Sequence, residues 1–205
     1  MLLVGFDAEM TGLDPAAGHR LVQVGVALPR GSIDGDEPPA LDLWSQDIGW
    51  SDGDYTWTEE ALSINGFTHD RITKGPAANT VDTLLANWLA ERGGGPGQKL
   101  IIPVGWRVAD ADLPFIRRTL PQTASAIVGP AVELFGVARS FAGRVHRHGR
   151  LLGYRDLVDE SQEWAQQELE RRGMEPAWHD AGYDAAAGAL AWWWLRSQIG
   201  PTEAP

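Results

Sequence analysis

Two acidic residues lie two positions apart near the start of the chain, in the sequence Asp7-Ala8-Glu9. They end an apolar run from Leu2 that predicts a β-strand, in which side chains two residues apart point to the same side. A chain this rich in acids is expected to contain about one Asp-x-Glu by chance, so the spacing alone is weak evidence. Carboxylates that end an apolar strand are costly unless a cation compensates their charge. This context indicates a divalent metal site.

The composition limits which metal and which partners are to be expected. The chain has 205 residues, no cysteine and a formal net charge of −11. Without thiolates, a metal must be held by oxygen or imidazole ligands, which favours hard ions such as Mg²⁺ or Mn²⁺. A protein this acidic is repelled by nucleic acid at long range, which argues against one that coats DNA or RNA by neutralising phosphates. Local contact with a short strand is compatible with this charge.

Four parts of the chain contain polar residues in a distinctive order. They are FDAEMTGLDP at 6–15 with RLVQVG at 20–25, ALSINGFT at 61–68, DLPFI at 112–116 and HDAGYDA at 179–185. These sequences resemble the motifs of the DEDD superfamily of 3′-to-5′ exonucleases, which includes oligoribonucleases, ribonuclease T and bacterial polymerase proofreading subunits. They follow the family's order and span nearly the whole chain.

The resemblance implies a catalytic centre. Asp7, Glu9, Asp112 and Asp184 would hold two Mg²⁺ or Mn²⁺ ions at the scissile phosphate, one ion activating water and the other stabilising the leaving 3′ oxygen. His179, in the His-x4-Asp form of the last motif, would accept the proton of the attacking water, which is the DEDDh arrangement. An alternative is that His179 only makes hydrogen bonds at a helix start. Tyr183 is adjacent to Asp184 and does not fit the subgroup that uses a tyrosine instead.

The first motif also implies a substrate pocket. By resemblance, Met10, Thr11 and Leu13 line the pocket for the terminal nucleotide, with Leu13 wedged against a base. Leu13 as a turn residue that packs on the core is the alternative. The predicted substrate is a single-stranded DNA or RNA 3′ end, which would be released as nucleoside 5′-monophosphates.

Three positions depart from the family's pattern. Asn65 stands where a histidine is often found, and Arg107 and Ala111 stand where Asn and Phe are common. The last two departures leave the choice between Asp110 and Asp112 open. The Leu-Pro-Phe-Ile that follows favours Asp112 as the metal ligand, and Asp110 is then predicted to cap a helix.

A cationic segment interrupts this acidic chain. Residues 139–155 contain five arginines and two histidines without an acidic residue. We expect the segment to contact the substrate strand, through Arg144, Arg147 and Arg150 in particular. A solvated loop without a ligand is the alternative.

The pattern of apolar residues predicts an α/β fold. We expect strands at 2–8, 20–28, 41–48 and 99–104, with a weaker one near 126–135, and helices from 58, at 79–93 capped by Asn79, and at 110–120, 154–172 and 180–198. Three leading antiparallel strands and then alternating helix and strand predict a mixed β-sheet flanked by α-helices, the ribonuclease H-like fold that the resemblance implies. We expect one domain at 1–199 and a tail at 200–205.

Location and partners are the last expectations. The most apolar run, 185–195, is too short to cross a membrane, so we expect a soluble, cytoplasmic protein without a membrane partner. Most of the ten tryptophans are expected in the core, with at least one of residues 192–194 meeting solvent or a partner subunit. A homodimer or a polymerase partner is left open. Two other functions are also left open: oligoribonuclease-like degradation of short RNA, and a weakly active nucleic-acid-binding or proofreading accessory module.

Overall fold

A computed structural model of the protein describes residues 2–30, 37–93, 101–147 and 149–199. Its strands are β1 (Leu2–Met10), β2 (Leu21–Arg30), β3 (Ala40–Asp47), β4 (Ile101–Gly105), β5 (Val132–Glu133), β6 (His146–Arg147) and β7 (Arg150–Leu151). Its helices are α1 (Glu59–Asn65), α2 (His69–Lys74), α3 (Ala78–Gly93), α4 (Leu113–Thr119), α5 (Pro121–Ser125), α6 (Leu134–Phe141), α7 (Tyr154–Arg171) and α8 (Ala181–Ser197). A 3₁₀ turn spans Pro15–Ala17, and a π-helical turn spans Val108–Asp112. The tail at 200–205 lies outside the described residues, as do the first two residues of the strand predicted at 99–104.

Five strands form one mixed sheet in the order β3-β2-β1-β4-β5. β1 pairs antiparallel with β2, and β2 pairs antiparallel with β3. β4 pairs parallel with β1 on one side and with β5 on the other. The prediction of three antiparallel strands that lead into a mixed sheet is therefore confirmed. The carboxyl end of β4 lies beside the middle of β1, where Asp7 follows the paired residues.

Helices cover both faces of the sheet. On one face, Leu85 of α3 and Phe115 of α4 share one buried apolar cluster with Val4 and Phe6 of β1. On the other face, α6, α7 and α8 form a second apolar cluster, whose buried members include Leu134, Leu157, Leu169, Leu190, Trp193 and Trp194. The sheet is thus buried from both sides, which agrees with the apolar runs that predicted β1 and β4.

Several local predictions were wrong, each for a local reason. α3 begins at Ala78, so Asn79 lies inside its first turn and does not cap it. The strand predicted near 126–135 is reduced to two residues, because Gly129 adopts a left-handed backbone with φ +72 and Pro130 follows it. The cationic segment at 139–155 includes a hairpin that was not predicted, in which β6 pairs with β7. The expectation for residues 192–194 was met, since Trp193 and Trp194 are buried and Trp192 is partly exposed.

Among the described residues, every helix is too short or too polar to span a bilayer.

Candidate metal centre

The alternation of β1 directs its two acids toward α8. Val4, Phe6, Ala8 and Met10 belong to the apolar cluster on the α3 side of the sheet. Residues 5, 7 and 9 therefore share the opposite face, as the sequence predicted. On the neighbouring strand, Asp7 lies opposite Gly25 and Glu9 lies opposite Gln23.

Two glycines let α8 lie directly on this face. A Cβ added at Gly5 would overlap the carbonyl oxygen of Ala185, and one added at Gly25 would overlap the backbone of Ala181. Any other residue at either position would push the helix away from the sheet. The close approach brings Asp184, in the first turn of α8, to Glu9.

A buried glutamine fixes the start of α8. The Gln23 side chain donates to Asp180 Oδ2 (2.9 Å) and accepts from the Ala181 backbone N–H (2.8 Å). Asp180 caps the helix, since its Oδ1 accepts from the N–H groups of Gly182 and Tyr183 at 3.1 and 3.2 Å. Our sequence interpretation missed Gln23. The available signal was a polar residue inside an apolar strand, which is buried in the structure.

His179 directly precedes this capped start. It has a left-handed backbone with φ +64, which is uncommon for a residue other than glycine. Its backbone N–H donates to Asp184 Oδ2 at 2.9 Å. One imidazole nitrogen of His179 and one carboxylate oxygen each of Glu9 and Asp184 all lie within 4.8 Å of one another. The histidine is exposed, so its ring faces solvent next to the acids.

Asp112 approaches the acids of β1 from the side of the sheet where β4 pairs with β1. The chain leaves β4, passes through Arg107 with φ +64, and forms the π-helical turn whose last residue is Asp112. The backbone N–H of Ala8, between the two acids of β1, acts to lower the pKa of the Asp112 carboxyl, and the Asp112 charge raises the pKa of Asp7. Asp110 lies in the same turn but is exposed. The prediction that Asp110 caps a helix was wrong, because the turn begins after Arg107 and α4 begins only after Asp112.

The four acids are crowded and lack cationic partners. Burial, and then repulsion from Asp112, hold the pKa of Asp7 well above its usual range. Burial and the Asp184 charge raise the pKa of Glu9 to about 8. Burial raises the pKa of Asp184 to about 6 against the opposing hydrogen bond from His179. Burial also raises the pKa of Asp112.

The donor set fits divalent cations. In the part of the chain that the structure describes, no lysine or arginine pairs with any of the four acids. The buried Asp184 Oδ1 also has no hydrogen-bond partner there. Crowded carboxylates without a lysine or arginine ion-pair partner are suited to hard cations, which prefer oxygen ligands.

A cleft of about 360 Å³ opens beside Glu9. Its walls come from the end of β1, the turn after it and α1, and its lining includes Met10, Leu13, Thr58 and Ile64. Leu13 is 72% exposed and Ile64 is 51% exposed, so two large apolar side chains border the cleft in contact with solvent. The cleft can receive a flat apolar group next to the acids.

Other polar contacts hold the walls of this cleft. Thr11 is fully buried, donates to the Thr56 carbonyl (2.5 Å) and accepts from the Arg20 N–H (2.9 Å). Its side chain thus ties the turn after β1 to the segment before α1 and is not among the lining side chains. Asn65 donates to the Met10 carbonyl at 3.0 Å, which anchors the end of α1 to β1.

The predicted strand-contacting arginines lie on or near the β6–β7 hairpin. Arg147 pairs with Glu160 of α7 at 3.1 Å, and Arg150 pairs with Asp156 and Glu160 at 3.2 and 3.4 Å. Arg144 is exposed. Acids of α7 therefore partly neutralise this segment.

Comparison with known proteins shows the fold. The sequence matches no family model, and no curated protein matches it at a significant level. Solved structures of exonuclease I are similar: that of E. coli exonuclease I with a dT13 oligonucleotide has a TM-score of 0.63 and 16% identity, over 96% of this chain and 41% of that chain. A product-bound exonuclease I has a TM-score of 0.62 and 15% identity, over 96% and 43% of the two chains. The zinc-bound E. coli exonuclease I complex with single-stranded DNA has a TM-score of 0.60 and 15% identity, over 96% and 40%.

The chain thus spans about two-fifths of the length of these structures and shares their ribonuclease H-like fold. The predicted fold class is confirmed.

Proposed function

We propose that the protein is a DEDDh-type 3′-to-5′ exonuclease that hydrolyses single-stranded nucleic acid to nucleoside 5′-monophosphates. The observation that carries the proposal is the convergence of Asp7, Glu9, Asp112 and Asp184 beside the cleft, without cationic partners among the described residues. The similar exonuclease I structures contain dT13 and dA16 oligonucleotides, which supports a nucleic acid substrate.

In this proposal the four acids hold two Mg²⁺ or Mn²⁺ ions. Such ions lower the pKa of bound water and neutralise charge on the phosphate and the leaving oxygen. The protein positions the groups that react, beginning with the imidazole of His179. Asp184 anchors the backbone of His179 through a hydrogen bond, which sets the imidazole beside the acids. His179 accepts a proton from the attacking water as the water oxygen bonds to phosphorus and the P–O3′ bond breaks, and the departing 3′ oxygen of the next nucleotide takes a proton from solvent.

The cleft accounts for the proposed requirement for a free 3′ hydroxyl end. Leu13 and Ile64 would contact the terminal base, and the cleft lining that the structure describes includes Glu9, Asp14 and Glu60 but no lysine or arginine. A 3′-terminal phosphate would be repelled by these acids, whereas a 3′ hydroxyl would not. Two exposed tryptophans in neighbouring segments, Trp57 and Trp178, offer further surfaces for stacking on bases.

The test is digestion of labelled strands of several lengths, as DNA and as RNA, with products resolved by nucleotide. Linear strands with a 3′ hydroxyl should shorten stepwise from that end, and 3′-phosphorylated strands should resist. Cutting of a circular single strand at the linear rate would contradict the proposal. Activity confined to the shortest RNAs would favour the oligoribonuclease-like function, and binding without turnover would favour the accessory module.

A further inference from the structure

Glu133 lies at the end of β5, and its carboxylate reaches the turn that leads to Asp112. Its Oε2 accepts from the Arg107 backbone N–H at 2.9 Å, and its Oε1 accepts from the Ala109 N–H at 2.6 Å. Parallel pairing of Gly105 with Glu133 brings the acid to this position. Both oxygens of one side chain thus bind the first N–H groups of the π-helical turn.

These N–H groups need an acceptor from outside the turn. The first N–H groups of any helix have no partner within it, and Arg107 makes no side-chain capping bond. Glu133 also precedes α6, yet its side chain makes no capping bond to that helix. The Glu133 carboxylate therefore binds the π-helical turn and does not cap α6.

The turn is both unusual and functionally placed. π-helical turns and left-handed residues other than glycine persist only where surrounding contacts fix them. Here the turn ends at Asp112, which is 3% exposed and whose charge raises the pKa of Asp7. A small shift of the turn would move this carboxylate away from Asp7.

We infer that Glu133 is a positioning residue that holds the π-helical turn so that Asp112 can bind metal. The inference rests on the proposed function, because it assigns Glu133 a role in that same site. Second-layer contacts of this kind typically change metal affinity by about 10- to 100-fold.

The test compares the Glu133→Ala and Glu133→Gln variants with a control variant, and each protein is prepared free of metal before Mn²⁺ is added. Asp82 provides the match, since its carboxylate likewise accepts from two backbone N–H groups, those of Gln122 and Thr123, at 2.9 and 2.8 Å. Asp82→Asn removes a similar clamp from another part of the fold. Mn²⁺ binding is measured by calorimetry and electron paramagnetic resonance, and hydrogen exchange of the Arg107 and Ala109 amides by NMR.

Glu133→Ala should weaken Mn²⁺ binding about tenfold or more and speed exchange of both amides, and Glu133→Gln, with one acceptor oxygen, should lie between it and the wild type. Asp82→Asn should leave Mn²⁺ affinity unchanged even if its melting temperature falls. Unchanged Mn²⁺ affinity in both Glu133 variants, or an equal loss in Asp82→Asn, would overturn the inference while the proposed function stands. Absence of Mn²⁺ binding in the wild type would overturn the proposed function and this role with it.

Discussion

Replacing Glu9 with glutamine should stabilise the metal-free protein at pH 8. Glu9 is 8% exposed, and its pKa of about 8 lies far above the ordinary 4.5. A carboxyl with a raised folded-state pKa holds its proton more tightly when folded, so the folded state loses stability as pH rises from about 4.5 to about 8. Glutamine has nearly the same shape and no charge, so it removes this loss.

The size of the effect follows from the same values. At about 1.4 kcal/mol per pH unit, the difference between 4.5 and about 8 sets an upper bound of about 5 kcal/mol. Asp184 and Asp112 interact electrostatically with Glu9 and adjust when it is replaced, so we expect about 1 to 3 kcal/mol at pH 8 and close to none at pH 5.

The assay is urea unfolding in the presence of a chelator at both pH values. Glu175→Gln, a change at an exposed acid, is the matched control and should have no effect. Saturating Mn²⁺ should stabilise the wild type at pH 8 more than it stabilises Glu9→Gln, because the variant lacks one ligand. Destabilisation of Glu9→Gln at pH 8, or the same change at pH 5 and pH 8, would refute the electrostatic account.

Three further substitutions test other parts of the site. His179→Ala should lose about 10² to 10⁴ in kcat and still bind Mn²⁺; near-normal turnover, or loss of Mn²⁺ binding, would give His179 a different role. Leu13→Ala should raise KM about fivefold on single strands without lowering the melting temperature, since the side chain is 72% exposed; an unchanged KM would make Leu13 a turn residue only. Arg144→Ala should raise KM for long strands and reduce by about one the slope of the salt dependence of KM. An unchanged slope would indicate that the cationic segment at 139–155 is a solvated hairpin without a ligand.

The sequence predicted the parts of the site that depend on local periodicity. Alternation along β1 placed Asp7 and Glu9 on one side, and the structure confirms that shared face. The antiparallel pairing of the three leading strands also agreed, because strands that follow one another along the chain usually pair. These features are set by residues adjacent in the chain.

The features that sequence could not supply depend on contacts between distant segments. Gln23 meets Asp180 across 157 positions, and Glu133 meets Arg107 across 26. The sequence favoured Asp112 over Asp110 as the metal ligand, but it did not show the π-helical turn that buries Asp112 and exposes Asp110. The sequence predicted the helix at 180–198, but it did not show that Gly5 and Gly25 let this helix lie directly on the sheet.

The most direct test of the central claim is the time course of a 5′-labelled single strand with Mg²⁺, with chelator and with the Asp7→Ala variant. The wild type with Mg²⁺ should produce a ladder that shortens from the 3′ end and release nucleoside 5′-monophosphates. Chelator should stop the reaction, and Asp7→Ala should be folded by circular dichroism and inactive. Digestion that continues in chelator, or full activity in a folded Asp7→Ala, would contradict the assignment of this acidic cluster as a metal-dependent exonuclease centre.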